Sequence, residues 1–221
     1  NDTWVYNVTA DNWTQLSLAG APSPRSCPSM SFDPESGLIV LFGGEVYNAS
    51  QWGVVPLNDT FTLNVSAGIW TRQNPATVPS ARSRHAAAFA GKEGEVVVFG
   101  GWGGYYWNGT AFTQRRYGDT WTYNVSSDSW TNSTPTESPE GRTESSMIYD
   151  SARACAVLFG GSGANGLLGD TWTYDAVSNS WTVFSPAGSP SPQCRYGFAY
   201  DSAAALVVGV RRKEGQTIAP V

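Results

Sequence analysis

Asp119-Thr120-Trp121-Thr122-Tyr123-Asn124, closed eleven residues after its aspartate by Trp130, is the stretch on which the reading of this chain turns. It recurs. DTWVYN starts at Asp2, DTFTLN at Asp59 and DTWTYD at Asp170, and Trp13, Trp70 and Trp181 follow at the same offset. A second mark also recurs, an apolar run ending in a glycine pair, at Leu41-Phe42-Gly43-Gly44, Val98-Phe99-Gly100-Gly101 and Leu158-Phe159-Gly160-Gly161. Asp2 to Gly44, Asp59 to Gly101 and Asp119 to Gly161 are each 42 residues, whereas the step from the glycine pair to the next aspartate is 15, 18 or 9. One loop per repeat absorbs insertions and the remainder holds its register, which is how a repeat architecture presents itself in sequence.

Each tryptophan is followed twelve residues later, across a proline-rich connection, by Arg25, Arg82, Arg142 and, out of pattern, Gln193. Thr120-Trp121-Thr122-Tyr123 alternates polar with aromatic, and Glu95-Val96-Val97-Val98-Phe99 is a β-branched apolar run. Turn residues separate such runs, and no helical period occurs, so each repeat reads as four short strands. With Gly-Gly after strand two, an aromatic strand three and a tryptophan on strand four, the chain resembles the kelch repeat over almost its whole length. The resemblance implies an all-β fold, a kelch-type β-propeller with one four-stranded blade per repeat. The chain opens at strand three of one repeat and closes after strand two of another, so four blades are expected, one completed by both termini. A single domain over 1–221 would then hold blades at about 25–72, 82–132 and 142–183, with a fourth formed by 193–212 plus 1–16. Residues 2–16 are expected to pair with the strands at about 195–210 and close the ring. Val210-Arg211-Arg212 stands where Phe-Gly-Gly is due. The codons GTT CGG CGG read Phe-Gly-Gly one base later, so 211–221 is either out of frame or a divergent basic tail.

Charged residues make up 14% of the chain and the net charge is −5, which excludes a basic nucleic-acid-binding face. No apolar run has the length of a membrane span, so membrane insertion is not expected. Nine of twelve asparagines lie in Asn-X-Ser/Thr, against about two by chance. Repeat and turn chemistry accounts in part for Asn1, Asn7, Asn58, Asn64 and Asn124, but not for Asn48, Asn108 or Asn132. A secreted or cell-surface glycoprotein follows as the expectation, with Asn64 and Asn124, at hairpin tips, the leading acceptors. Cys27 and Cys194 both precede strand one of blades that would be neighbours in a closed ring, so a disulfide is expected between them. Cys155, in an apolar run, reads as a buried thiol.

Neither metal nor cofactor is expected, because no Cys/His pair has ligand spacing and His85 is the only histidine. Kelch proteins that resemble galactose oxidase hold copper with two histidines, which this chain cannot supply. Gly161-Ser162-Gly163-Ala164-Asn165-Gly166 fits a dinucleotide fingerprint, but a strand follows it rather than a helix. Arg25, Arg82, Arg84, Arg142 and Arg195 recur before strand one; they read as partners for carboxylates or carbonyls of neighbouring blades, or as an anion or glycan contact at the channel mouth. Catalytic residues are therefore not assigned. The binding candidates are the aromatics of the two long insertions, Trp102, Tyr105, Tyr106 and Trp107 in one and Tyr47 and Trp52 in the other, both on the same rim. These point to a non-enzymatic propeller at the cell surface or outside it, making contacts with a protein partner or with itself, even as a subunit of a filament. The alternative is a carbohydrate-binding module stacking sugars on the same side chains.

Overall fold

The computed structural model describes residues 2–51, 53–91 and 94–210. Among them are twenty strands and one 3-10 turn, with all ladders antiparallel. An N-terminal pair, β1 (Thr3–Asn7) and β2 (Asn12–Leu16), comes first. The first full blade contains β3 (Ser29–Asp33), β4 (Leu38–Phe42), β7 (Thr60–Asn64) and β8 (Ile69–Arg72), interrupted by the hairpin β5 (Glu45–Asn48) and β6 (Gly53–Pro56). The second contains β9 (Ala86–Phe89), β10 (Glu95–Phe99), β13 (Thr120–Asn124) and β14 (Ser129–Asn132), interrupted by β11 (Trp102–Trp107) and β12 (Phe112–Arg116). The third contains β15 (Ser146–Asp150), β16 (Cys155–Ser162), β17 (Leu167–Asp175) and β18 (Ser180–Phe184), and the pair β19 (Gly197–Asp201) and β20 (Leu206–Val210) ends it. The first strands β3, β9, β15 and β19 stand beside one another around the axis, in that order. The propeller expected from the repeat is thus present as three complete blades between two half-blades.

The expected pairing of 2–16 with 195–210 is not part of this arrangement. β1 pairs with β2 alone and β19 with β20 alone, so the two halves form separate two-stranded sheets. Arg211 and Arg212, and the rest of the tail to Val221, lie outside the described residues.

The apolar runs are long because a blade is covered on both faces. Successive side chains of a strand point to opposite sides. Val96 and Val98 pack with Val40 and Phe42 of the first blade, while Val97 and Phe99 pack with Ala156 and Leu158 of the third. Each blade's tryptophan reaches back to the blade before it. The indoles of Trp70, Trp130 and Trp181 donate to the hydroxyls of Thr3, Thr60 and Thr120, at 3.3, 3.0 and 2.9 Å. This explains the fixed Asp-Thr and Trp together: one blade supplies the acceptor, the next supplies ring and donor.

The glycine pair is required where one blade's backbone meets the next. The second glycine donates its N–H to the following connection, Gly44 to Arg82 O at 3.0 Å, Gly101 to Arg142 O at 2.8 Å and Gly161 to Gln193 O at 2.9 Å. At Gly100, with φ at +70°, a Cβ would lie 2.6 Å from Arg142 O. A side chain there meets both an unfavourable backbone region and a carbonyl that cannot swing aside.

Candidate functional site

The repeated arginine is the local anchor of each blade. Arg25 pairs with both oxygens of Asp59, Arg82 with those of Asp119 and Arg142 with those of Asp170. The same guanidinium donates to the first glycine's carbonyl, Gly43, Gly100 or Gly160, at 3.0, 2.9 and 3.0 Å. These pairs lie within one blade, which corrects the expectation of partners in a neighbouring blade for Arg25, Arg82 and Arg142, whereas Arg84 and Arg195 do pair with carboxylates of neighbouring blades. The reason is geometric: the arginine precedes strand one and the aspartate precedes strand three, and both strands begin at the same rim. Burial alone would raise the Asp119 carboxyl, but the hydrogen bonds and charge of Arg82, with the Trp121 indole, hold it below the usual range. This clamp fixes both ends of the variable loop, so whatever that loop carries is presented from a rigid base.

Two residues after the arginine position lies a left-handed residue in every blade: Cys27, Arg84, Glu144 and Arg195, with φ between 51 and 60°. Their amides link around the channel mouth, Arg84 N–H to Cys27 O at 3.1 Å, Glu144 N–H to Arg84 O at 2.8 Å and Arg195 N–H to Glu144 O at 2.9 Å. Together with His85 and Tyr196 they line a cavity of about 300 Å³. Its charges are spent internally. Arg84 pairs with Glu45 at 2.9 Å and lies 3.8 Å from Glu144, which also pairs with Arg195 at 2.6 Å. Burial pushes Glu144 upward, yet Arg195 and the Cys194 thiol outweigh it and leave the carboxyl low. Cys27, Cys155 and Cys194 are all free thiols, so the expected Cys27–Cys194 disulfide is not formed here. Cys194 bonds Glu144 instead, and Cys27 sits at the left-handed position of its own blade.

His85 faces this mouth from below, its Nε2 2.7 Å from Ser29 Oγ. Burial and the charge of Arg82 push its pKa down to about 3 from an ordinary 6.5. The folded protein therefore binds this proton only near pH 3, whereas the unfolded chain takes it near 6.5. Stability is complete above 6.5 and falls as the pH is lowered, by about 1.4 kcal/mol per unit. Asp119 and Asp170, held below 3.8, add their losses only at more acid pH. Urea titrations across the mildly acid range should show that slope in the wild type and its loss in His85→Gln; an equal slope in both would show that another group takes the proton.

The sequence-derived aromatics divide. Trp102 is 5% exposed, first in β11, paired across the blade with Ser83 and lying under the Arg84 guanidinium at 5.3 Å. It is a packing residue, which corrects its assignment as a binding one. It occupies the position after the glycine pair that Glu45 and Ser162 hold in the other blades, and that position points into the blade. Tyr105 and Trp107 are 63% and 57% exposed, and Tyr106 is also exposed. Tyr47 on β5 is 73% exposed; Trp52 lies outside the described residues. Sequence reading missed Phe112, 74% exposed on β12, whose ring meets Trp107 edge to face at 5.4 Å. Its signal was the apolar residue directly across the turn from Trp107. The insertions are two-stranded hairpins, and β6 packs beside β11.

The sequon asparagines lie at turns. The side-chain oxygens of Asn7, Asn64 and Asn124, at the ends of equivalent strands, accept from Ala10, Ala67 and Ser127 amides. Those of Asn48, Asn108 and Asn132 accept from Ser50, Thr110 and Thr134. Asn58 is exposed just before Asp59. Among the described residues no cluster of three His, Cys, Asp or Glu is placed to hold a metal, and no helix is long and apolar enough to cross a membrane.

Comparison with known proteins agrees with this architecture. A family model, the KLHDC2/KLHL20/DRC7 Kelch-repeats domain, matches residues 1–209. Adagio-like protein 1 of Oryza sativa subsp. japonica is 28% identical over 212 residues, 92% of this chain and 31% of that protein. Serotransferrin-1 of Salmo salar is 38% identical over 56 residues, 25% of this chain and 8% of that protein. The solved structure of YjhT superposes with a TM-score of 0.64 at 17% identity, covering 86% of this chain and 60% of that one, a likeness of fold. The chain thus spans about a third of the first curated relative and three fifths of the solved structure.

Proposed function

The chain belongs to the kelch-repeat family, and on that premise we propose that it is a non-enzymatic propeller that binds a protein partner, or a second copy of itself, through one face. That face is the rim where the loops between strands two and three emerge. The observation that carries the reading is the side-by-side pair of hairpins β5–β6 and β11–β12, with Tyr47, Tyr105, Tyr106, Trp107 and Phe112 uncovered on them. Large aromatics exposed on rigid strands are costly to leave bare, and they supply contact area with little entropy left to lose. The arginine–aspartate clamps hold both hairpins in place, so the surface is preorganised. The channel mouth supports no catalytic reading: its histidine is buried and neutral, and its charges pair with one another.

The setting we propose is extracellular or cell-surface. Its support is the excess of sequons, with Asn7, Asn58, Asn64 and Asn108 all exposed. N-glycans at Asn7 and Asn64, on the strand-three hairpin tips, would cover the opposite rim, whereas one at Asn108 would stand in the β11–β12 turn beside Trp107.

Site-directed photo-crosslinking tests the partner reading. A photoreactive residue replacing Tyr105 is expected to capture a discrete protein adduct in the producing cells. The same residue at Val65 or Val177, exposed apolar positions on strand-three to strand-four turns, should capture none. Equal labelling from all three sites, or adducts from the turns alone, would overturn the assignment of the face; labelling of glycan in place of protein would favour the sugar-binding alternative.

A further inference from the structure

A second cavity, of about 680 Å³, opens along the far side of β12 between that hairpin and the third blade. Tyr106, Gln114, Arg115, Arg116 and Tyr117 line it, closed off by Gly141 and Ala164. Its charge differs in kind from that of the channel mouth. Arg25, Arg82, Arg84, Arg142, Arg153 and Arg195 each have a carboxylate partner. Among the described residues no such pair involves Arg115 or Arg116. The Arg116 Nε is sealed from solvent and has no hydrogen-bond partner among the described residues. The Arg115 guanidinium lies over the Tyr106 ring, 4.7 Å from its centroid, which fixes its plane while leaving its N–H edge open to an acceptor.

Guanidiniums without a carboxylate partner keep their outer N–H groups available to an acceptor that a ligand brings. Two guanidiniums in one cavity of a chain whose net charge is −5 select for anionic groups. The cavity is continuous with the exposed Tyr106 of the proposed contact face, so a bound chain can engage both. We propose that this cavity takes the carboxylates of an acidic peptide segment, Asp/Glu-rich, of the protein partner. This rests on the protein-contact reading above and names the chemistry that reading leaves open. Carboxylates receive N–H donors from Arg115 and Arg116, Gln114 and the tyrosine hydroxyls supply further polar contacts, and the peptide's stem lies against the rings of Tyr106 and Tyr117.

The probe is a fluorescein-labelled hexaglutamate peptide, followed by anisotropy with the whole chain, beside its hexaglutamine counterpart. The hexaglutamate should bind and the hexaglutamine should not. Arg115→Gln and Arg116→Gln should each weaken binding about tenfold. Arg72→Gln, which removes an exposed arginine of another blade that has no ion pair among the described residues, should leave it unchanged. Arg116→Gln should melt no lower than wild type, since it deletes an unsatisfied group. Equal weakening by Arg72→Gln would reduce the effect to general charge attraction and overturn the proposal. So would absence of hexaglutamate binding, or its displacement by inorganic phosphate at concentrations no higher than the peptide's own, which would make the site a small-anion site. None of those failures would remove a protein adduct captured from position 105, so failure of this cavity is distinguishable from failure of the contact face.

Discussion

Arg82→Ala is expected to destabilise the fold by about 3–5 kcal/mol. The side chain is wholly buried and makes five contacts that no other residue can replace. It holds both Asp119 oxygens at 2.8 and 2.9 Å, the Gly100 carbonyl at 2.9 Å and the Ser80 carbonyl at 3.1 Å, and lies over the Tyr117 ring at 4.3 Å. Replacing a buried ion pair by apolar groups can be neutral, but removing one partner leaves the other charge stranded. Here Asp119 would keep its own backbone amide and the Trp121 indole, the latter at 2.7 Å, and the Gly100 carbonyl would lose its guanidinium. Arg82→Lys should recover only part of the loss, because an ammonium cannot match the two-pronged geometry. Urea unfolding of the three proteins measures this, with a melting shift of about 10 °C for the alanine variant. A loss under about 1 kcal/mol would show that desolvation of the pair cancels its attraction and that the clamp does not fix the loop ends.

Much of the blade was legible because it is periodic. Asp-Thr, Gly-Gly and Trp recur at fixed offsets, and the structure shows why: threonine accepts from the next blade's indole, and the second glycine donates to the next blade's connection. The arginine's partner was harder to see. Arg25 to Asp59, Arg82 to Asp119 and Arg142 to Asp170 are 34, 37 and 28 residues apart, since the variable loop lies between them. The constant interval was that from arginine to glycine carbonyl, 18 residues in all three blades. Composition placed the aromatics of the second insertion on the rim but not their burial. Trp102 and Trp107 look alike in sequence; only the β11–β12 register separates the one that continues the blade from the one that leaves it. The channel-mouth ring of left-handed residues was only half visible: Arg84 and Arg195 recur before strand one, but Cys27 and Glu144 share their backbone conformation without their chemistry.

Replacing Tyr105, Trp107 and Phe112 together by alanine should abolish partner binding and spare the fold. The three rings are exposed on one hairpin outside the four-stranded blade; Trp107 and Phe112 meet each other, and Tyr105 meets the Trp102 ring edge to face at 5.6 Å. Exposed substitutions of this kind change stability little, so melting should stay within about 3 °C of wild type. Aromatic hot spots cost about 2 kcal/mol or more apiece at an interface, and losing two of three predicts a fall of more than about a hundredfold in affinity. The deciding measurement is an equilibrium titration of the partner captured from position 105 against wild type and the triple variant, with the melting curve of each recorded beside it. The account predicts a binding curve displaced by at least that factor over an unmoved melt; affinity within about twofold of wild type would contradict it.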